Sequence, residues 1–244
     1  MTELFLLALI PLAYLLGSVP FGLLVGLAKG IDPRTAGSGN IGATNLGRLL
    51  GGKYFGLVFF LDMLKSFVPM MIASFIVRRS VLASGIEPDW HVYFLWLLVG
   101  FAAFFGHMFS IFLKFKGGKG VATSCGLILG LYPYYTIPAL CTMSIWVMIY
   151  LIWRIVSLAS VVATMAFTPL YVIFALLWRE PIFEDRTPLL IFAVMTASMI
   201  IYRHRGNIRR IREGTEHRFG RKPNEEGNGV EKDREEQREE TKIH

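Results

Sequence analysis

The sequence predicts an all-α polytopic membrane protein with about seven transmembrane helices, its N-terminus outside and its C-terminus in the cytoplasm. Of the 244 residues, 54% are hydrophobic and only 18% are charged, whereas soluble domains carry about 25% charged residues. The apolar residues form seven stretches, and basic residues are concentrated in some of the connections between them. A bilayer requires this composition, while a soluble chain would expose large apolar patches.

The seven stretches are candidate helices because a helix needs about 20 residues to span a bilayer. They cover residues 4–27, 54–77, 92–113, 121–135, 137–153, 157–178 and 188–202. The first lacks the basic start and the A-x-A cleavage site of a signal peptide, so we interpret it as a helix. The fourth is short, and Pro133 and Pro138 flank its join with the fifth. On length alone, the fourth and fifth also fit one long tilted span.

Basic residues resolve this ambiguity, because Lys and Arg are enriched in cytoplasmic flanks. Sixteen basic residues lie in connections 28–53 and 114–119, at position 154 and in segment 203–222. Four, offset by acidic residues, lie in connections 78–91 and 179–187. The rich segments therefore share one side, and the chain between them crosses the membrane an even number of times. Four crossings after residue 120 fit best, which gives seven helices.

The chain divides into a transmembrane domain, residues 1–218, and a charged tail, residues 219–244. Residues 223–244 hold eight acidic and four basic residues, a composition that predicts a disordered cytoplasmic tail. The net charge of +7 does not indicate a nucleic-acid partner, because the basic residues of the body adjoin membrane spans. Cys125 and Cys141 lie in apolar stretches without metal-ligand spacing, and we interpret them as buried thiols.

The first basic connection contains the glycine-rich segment AGSGNIGATNLGR, residues 36–48. Glycines permit positive φ and let a ligand approach the backbone N–H groups, which together can form an anion-binding concavity. Arg48 can hold a phosphate through two parallel hydrogen bonds. A flexible linker would instead consist of Gly/Ser repeats. We therefore interpret this segment as a phosphate-binding loop.

The second basic connection ends in KGGKGVAT, residues 116–123, at the start of a predicted helix. A helix N-terminus offers unpaired N–H groups and a favourable dipole to an anion, and Lys119 adds an ammonium. The string is not a Walker A loop, because Gly120 follows Lys119 where that motif has Ser or Thr. A basic membrane flank would explain Lys116 but not the glycines. The preceding His107 is interpreted as a packing or hydrogen-bonding residue.

The third segment, residues 203–216, follows the last helix. His204 and Asn207 are three residues apart and would share a helix face. A basic anchor on anionic lipid would need neither these two side chains nor Glu216. Within the second span, Asp62 and Lys65 form an intramembrane i, i+3 pair, which is either a functional site or a structural bridge.

Together these segments resemble the motif loops of the bacterial acyl-phosphate:glycerol-3-phosphate acyltransferases, small membrane enzymes that begin phospholipid synthesis. The resemblance covers about residues 1–218. It runs through SGNIGATNLGR at 38–48, GHMFS at 106–110, KGGKGVAT at 116–123, RH at 203–204, NI at 207–208, Arg210 and GTE at 214–216. The last motif usually closes with Lys, where His217 and Arg218 stand here, and the acidic tail is longer than the resemblance leads us to expect.

The resemblance implies a seven-helix enzyme of the bacterial inner membrane with its active site on the cytoplasmic face. It would transfer a fatty acyl group from acyl phosphate to the 1-hydroxyl of glycerol 3-phosphate, releasing lysophosphatidic acid and inorganic phosphate. No cofactor or metal is implied. The bilayer and the two substrates are the expected partners, and the enzyme that makes the acyl phosphate is a candidate partner.

We assign two sets of site residues. The predicted catalytic residues are Ser38, Arg48, Lys119, His204 and Asn207. The predicted phosphate-binding residues are Gly39, Asn40, Gly42, Thr44, Asn45, Gly117, Gly118, Gly120, Thr123, Arg210 and Glu216. The family is not thought to use a covalent nucleophile. The hydroxyl proton goes to the phosphate of the donor in the interpretation we rank first, and His204 with Asn207 orients a substrate oxygen in the other.

Two other classes of protein compete with the enzyme. A transporter for a phosphorylated small anion would place its site near the bilayer midplane between broken helices and repeats. Here the polar motifs lie at one membrane face, and no internal repeat is visible. A membrane-anchored scaffold would not need three phosphate-like loops.

Overall fold

The computed structural model describes residues 1–219, so the predicted tail from residue 220 onward lies outside the described residues. Within the described part the chain is helical and contains no strand, which confirms the all-α prediction. The helices are α1 Thr2–Ser18, α2 Phe21–Leu27, α3 Ala43–Leu50, α4 Gly52–Ser84, α5 Trp90–Met108, α6 Val121–Gly130, α7 Thr136–Trp153, α8 Val156–Leu177, α9 Thr187–Arg203 and α10 Arg205–Arg212, with a short 3-10 turn at Ile111–Leu113.

Five segments of the described chain are long and apolar enough to span a membrane. They are Thr2–Leu27, Gly52–Ser84, Trp90–Leu113, Thr136–Trp153 and Val156–Leu177. The chain bends by 57° between α9 and α10, and these two helices form a sixth candidate span if they are taken together. Helix α6 has ten residues, fewer than a span needs. The predicted count of seven and the predicted orientation of the termini therefore stay predictions.

The fourth predicted stretch is a short helix followed by turns. Helix α6 ends at Gly130, three residues before Pro133, in keeping with the restriction that proline places on the preceding backbone. Leu131 and Tyr135 in the following turns are fully buried. Non-helical backbone at membrane depth is tolerated where protein surrounds it. The stretch is therefore one short helix followed by buried turns, and not one regular helix.

Helix α6 is held against α4 by two hydrogen bonds to its backbone. The Ser66 hydroxyl donates to the Thr123 carbonyl over 2.6 Å, and the Ser74 hydroxyl donates to the Gly130 carbonyl over 2.6 Å. A Cβ added at Gly126 would overlap the Met63 carbonyl of α4. Glycine at this position thus permits the close contact between the two helices.

The first span is broken at Val19, between α1 and α2. The Lys65 ammonium donates to the Val19 carbonyl over 2.9 Å and lies 2.8 Å from the Asp62 carboxylate. Backbone groups freed by a break inside a membrane need a partner. Of the two interpretations of the Asp62–Lys65 pair, this contact favours the structural bridge.

The three basic segments meet at one end of the bundle, which we call the basic end. The Lys119 ammonium donates to the Asn207 side chain over 2.5 Å. The segment from residue 119 to residue 207 therefore begins and ends at the basic end. The Phe219 N–H donates to the Arg154 carbonyl over 2.7 Å, so the chain also returns to this end between α7 and α8. These contacts place residues 119, 154 and 207 at the same end, and the predicted four crossings after residue 120 stay a prediction. Phe219, the first residue of the predicted tail, also packs on the Phe55 ring with centroids 5.5 Å apart.

Candidate active site

A polar chamber opens at the basic end between α3, α4, the start of α6, α8 and α10. It brings together residues from all three predicted segments. The predicted site residues that line it are Ser38, Asn40, Gly42, Thr44, Asn45, Arg48, Lys119, Gly120, His204, Asn207 and Glu216. Asp62 and His107, from the interior of α4 and the end of α5, also border the chamber.

The glycine-rich loop is organised by the buried Asn45 side chain. Its amide nitrogen donates to the carbonyls of Pro33, Ala36 and Asn40 over 3.1, 3.1 and 2.8 Å. Its carbonyl oxygen accepts the Ser38 N–H over 2.9 Å. Asn45 was predicted to bind phosphate, but its polar atoms are engaged in shaping the loop. We therefore interpret it as a positioning residue.

Three other loop residues form the turns that precede α3. Gly37 and Gly39 have φ of +60° and +70°, a conformation that favours glycine. The Gly39 N–H donates to the Ala36 carbonyl over 3.2 Å, so this exposed residue serves a turn rather than the predicted phosphate contact. The Asn40 side chain accepts the Gly42 N–H over 2.8 Å and so begins the turn into the helix.

Two helices begin at the chamber wall. The N–H groups of Ala43 and Thr44 in the first turn of α3, and of Val121 and Ala122 in the first turn of α6, have no partner within their own helices. All four residues line the chamber. Helix N-termini attract anions. The first turn of each helix therefore presents unpaired backbone donors to the chamber.

The Gly117–Gly118 pair differs from its predicted role. The N–H groups of these glycines donate to the carbonyls of Met108 and His107, both over 3.1 Å. Their own carbonyls accept the Arg203 guanidinium over 2.7 and 2.9 Å. These N–H groups are thus already bonded and not directed to a phosphate. The glycines instead let the loop lie directly on the end of α5.

Gly120 and Thr123, the last two predicted phosphate-binding residues of the second segment, have different positions. Gly120 lines the chamber with φ of +90°, and a Cβ there would lie 2.5 Å from the Phe104 ring. Thr123 is fully buried and does not line the chamber. Its backbone carbonyl accepts the Ser66 hydroxyl of α4, and a direct phosphate contact does not fit this buried position.

Replacing Gly118 with alanine should lower activity about 100-fold, the effect expected when a catalytic group moves by about 1 Å. The added Cβ would overlap His107 Nε2, which pushes the loop off α5 and displaces Lys119. Gly56→Ala is the matched control, because a Cβ there meets nothing within 4 Å. Both variants should be assayed for turnover after purification in detergent. Full activity of Gly118→Ala would contradict this role for the loop.

Glu216 joins the second and third segments to α8. One carboxylate oxygen accepts the Ser157 hydroxyl and the Asn207 amide, each over 2.7 Å. The other accepts the Arg210 guanidinium over 2.7 Å. Asn207 in turn accepts the Lys119 ammonium over 2.5 Å. A carboxylate would repel a phosphate, so Glu216 acts as a positioning residue rather than as the predicted phosphate ligand.

Arg48 reaches the same network from α3. Its guanidinium lies 4.0 Å from the Glu216 carboxylate and donates to the His217 carbonyl over 3.4 Å. His217 stands where the resembled motif usually has Lys, and its contact here is made by the backbone. Arg48 thus lies between the glycine-rich loop and the C-terminal segment, on the wall of the chamber.

Two titratable groups in the chamber have strongly shifted pKa values. Burial, reinforced by nearby arginines and opposed by Glu216, lowers the pKa of Lys119 to about 8. Burial and the Lys119 ammonium lower the pKa of His204 to about 4. At neutral pH Lys119 is therefore a cation and His204 is neutral. The His204 Nδ1 contacts the Ile200 carbonyl over 2.7 Å, which requires the proton on Nδ1.

The shift at Lys119 predicts a decline of activity in alkaline solution. If the ammonium is required, kcat/KM should fall as pH rises above about 8, because this parameter reports the ionisation of the free enzyme. Lys119→Arg should keep some activity and should not show this alkaline decline, since a guanidinium stays protonated. A pH profile of kcat/KM from 6.5 to 9.5 measures both. An alkaline limb that persists unchanged in the arginine variant would assign it to another group.

The chamber continues into two further spaces. Towards the protein surface at the basic end it joins a second space, which we call the basic mouth. The lining of this mouth adds Arg203, Arg205 and Arg210 to Arg48 and Lys119. Towards the bundle interior the chamber joins an apolar cavity of about 240 Å³ between α4, α6, α7, α8 and α9. The chamber and the apolar cavity share the side chains of Phe55, Phe59, Val121, Trp146 and Ser160.

Sequence reasoning missed several residues that line the chamber, including four that provide or hold its polar contacts. Ala43, Val121 and Ala122 contribute backbone N–H groups, so their side chains carry no signal. Their position in the first helical turn after a glycine was the available indication. Ser157 bonds Glu216 from α8, and no local motif marks it. Only the fold brings it to the chamber.

The fold and this site define a polytopic membrane protein whose cationic chamber lies between a polar mouth and an apolar cavity, an arrangement suited to phosphorylated amphiphiles. A family model described as glycerol-3-phosphate acyltransferase matches residues 7–214. The chain belongs to this glycerol-3-phosphate acyltransferase family, and the predicted family resemblance is thereby confirmed.

Curated relatives agree over nearly their whole length. A glycerol-3-phosphate acyltransferase of Aquifex aeolicus is 44% identical over 212 residues, covering 86% of this chain and 97% of that protein. One of Geobacter sulfurreducens is 42% identical over 214 residues, covering 87% of this chain and 97% of that protein.

Two solved structures share the fold. Both are crystal structures of PlsY (YgiH), an integral membrane glycerol 3-phosphate acyltransferase, at 42% sequence identity. The glycerol 3-phosphate form superposes with a TM-score of 0.72, covering 88% of this chain and 96% of that one. The lysophosphatidic acid form superposes with a TM-score of 0.69, covering 88% and 95%.

Proposed function

We propose that this chain transfers a fatty acyl group from acyl phosphate to the 1-hydroxyl of glycerol 3-phosphate, as the first step of phospholipid synthesis. The reaction would take place at the cytoplasmic face of a bacterial inner membrane. One observation carries the proposal: a cationic chamber opens on one side to a basic mouth and on the other to an apolar cavity. Such a space suits one polar and one amphipathic phosphorylated substrate at once.

The two substrates have complementary places in this space. Glycerol 3-phosphate is small and dianionic, so it would enter through the mouth, past Arg203, Arg205 and Arg210. The fatty chain of the donor would occupy the apolar cavity. Its phosphate would then lie in the chamber beside the first turns of α3 and α6, which provide N–H donors. Arg48 and Lys119 would neutralise the two phosphates.

The transfer itself needs little covalent chemistry from the protein. The 1-hydroxyl oxygen attacks the acyl carbonyl carbon, a new ester C–O bond forms, and the bond from that carbon to the phosphate oxygen breaks. The electron pair and one proton leave with inorganic phosphate. The rate enhancement would come from positioning and from cations that face the developing negative charge. Lys119 and Arg48 are the proposed cations, and Ser38 is a proposed hydrogen-bonding contact.

The proton has two candidate acceptors. His204 is neutral at pH 7, but a pKa of about 4 makes it a weak base. Phosphate groups of phosphorylated side chains have a second pKa of about 6, so a substrate phosphate oxygen is the stronger base. This comparison favours substrate-assisted proton transfer. His204 would then orient the substrate, and Asn207 would orient Lys119.

The test supplies palmitoyl phosphate and glycerol 3-phosphate to the purified protein in detergent. Lysophosphatidic acid and inorganic phosphate should appear in equal amounts, and only when both substrates are present. Palmitoyl-CoA in place of palmitoyl phosphate serves as the donor control and should give no product. Turnover with the thioester alone would overturn the proposed donor. Uptake of labelled glycerol 3-phosphate into liposomes without chemistry would favour a transporter instead.

A further inference from the structure

The apolar cavity has a definite inner end, formed by Phe167 of α8. We propose that Phe167 sets the acyl-chain length that the site accepts, an inference that rests on the proposed function. The cavity lining follows α8 from Ser160 through Ala163 and Thr164 to Phe167. The residues further along the helix line no part of it.

A layer of aromatic rings supports Phe167 from behind. The ring of the fully buried Tyr135 lies edge-on to Phe167 with centroids 5.1 Å apart, and to Tyr171 with centroids 4.9 Å apart. The Tyr135 hydroxyl donates to the Leu189 carbonyl of α9. The layer is thus tied to a neighbouring helix as well as packed, and so it forms a firm wall.

A second cavity lies beyond this layer and is distinct from the first. It is lined by Tyr134, Tyr171 and Arg186 and lies towards the opposite end of the bundle from the chamber. The two cavities share no lining residue. The aromatic layer therefore separates them, and an acyl chain in the first cavity meets Phe167 before it can extend into the second.

The position of this wall implies a limit on length. Ser157 borders the chamber and Phe167 lies ten residues further along α8, so about 15 Å of helix axis separates them. An extended chain advances about 1.2 Å per bond, by the geometry that gives about 3.5 Å for the three bonds of a residue. A straight chain of about twelve carbons would thus reach from the chamber at Ser157 to Phe167. A longer chain must bend or leave sideways into lipid.

The experiment compares donors of 12 and 18 carbons in competition and measures the ratio of their kcat/KM values. Phe167→Ala should raise this ratio in favour of the 18-carbon donor by about two- to tenfold, because the longer chain no longer bears the torsional cost of bending at the wall. Phe174→Ala is the matched control, because Phe174 lies on the same helix beyond the wall and lines the other cavity. It should leave the ratio at the wild-type value.

A second variant keeps the inference testable if Phe167→Ala does not fold. Ala163 is one turn nearer the chamber and lines the same cavity, so Ala163→Leu should shorten the cavity and favour the 12-carbon donor. An unchanged ratio in an active Phe167→Ala, or in Ala163→Leu when Phe167→Ala is unfolded, would overturn the inference. Absence of acyl-phosphate turnover in the wild-type protein would instead refute the proposed function.

Discussion

Lys119→Ala should reduce kcat at least about 100-fold, the effect typical of removing one donor that stabilises developing charge. The Lys119 ammonium lies in the chamber, bonded to Asn207 and partly screened from water. At neutral pH it is a cation, and of the lysines in its loop, Lys114 and Lys116 do not line the chamber. Its loss should affect the reaction more than the binding of the acceptor, since the arginines of the mouth remain.

Lys116→Ala is the control for this substitution. Lys116 belongs to the same loop and carries the same charge, but it is exposed and does not line the chamber. Its removal should change kcat by less than about twofold, in keeping with the small effect of exposed charges. Initial rates of lysophosphatidic acid formation at saturating substrates measure both variants. A kcat for Lys119→Ala within fivefold of the wild type would remove Lys119 from the proposed mechanism.

The sequence predicted which segments form the site better than it predicted what each residue does. Basic flanks and glycine-rich strings identified three segments, and the structure joins them through the Lys119–Asn207 hydrogen bond and the approach of Arg48 to the Glu216 carboxylate. Glycine, however, has two uses that look the same in a sequence. It can bare an N–H group for a ligand, or it can permit a close backbone approach. Gly117 and Gly118 serve the second use, which only the packing on α5 reveals.

The same limit applies to polar side chains. Asn45 and Glu216 were predicted to contact phosphate because their types suit a polar site. Both prove to be fully engaged with protein partners. A single sequence cannot tell a ligand contact from a contact that holds the ligand's neighbours in place. Phe219 is a further example, since the charged segment after it gave no reason to expect a packed aromatic ring.

The membrane spans show where length rules fail. The apolar stretch 121–135 predicts a short span, but the helix within it ends at Gly130. Burial of Leu131 and Tyr135 allows irregular backbone at that depth, and Tyr135 is covered by α8 and α9 rather than by its neighbours in the sequence. Hydropathy therefore locates the stretch correctly and cannot give its secondary structure.

Glu216→Gln should lower activity about 100-fold while leaving the protein folded. The amide can still accept from Ser157 and Asn207, but it presents an N–H₂ group where Arg210 now donates to a carboxylate. The chamber also loses its negative charge beside Arg48, Arg210 and Lys119. Removing one partner of a buried ion pair is costly because the remaining charge lacks compensation, and in this pair only Glu216 is buried. Here Arg210 is 41% exposed, so solvent should moderate the loss of stability.

Glu213→Ala is the control, because Glu213 is exposed and pairs with Arg209 at the surface. It should change neither activity nor thermal stability measurably.

A second measurement separates an electrostatic role of Glu216 from a merely structural one. The Glu216 charge raises the pKa of Lys119 against the stronger effect of burial. In Glu216→Gln this support is lost, so Lys119 should release its proton at lower pH and the alkaline limb of kcat/KM should move below about 8. A variant that lost activity only through misfolding would keep the limb in its wild-type place in the active fraction. An unshifted limb would therefore show that the Glu216 charge does not tune the pKa of Lys119.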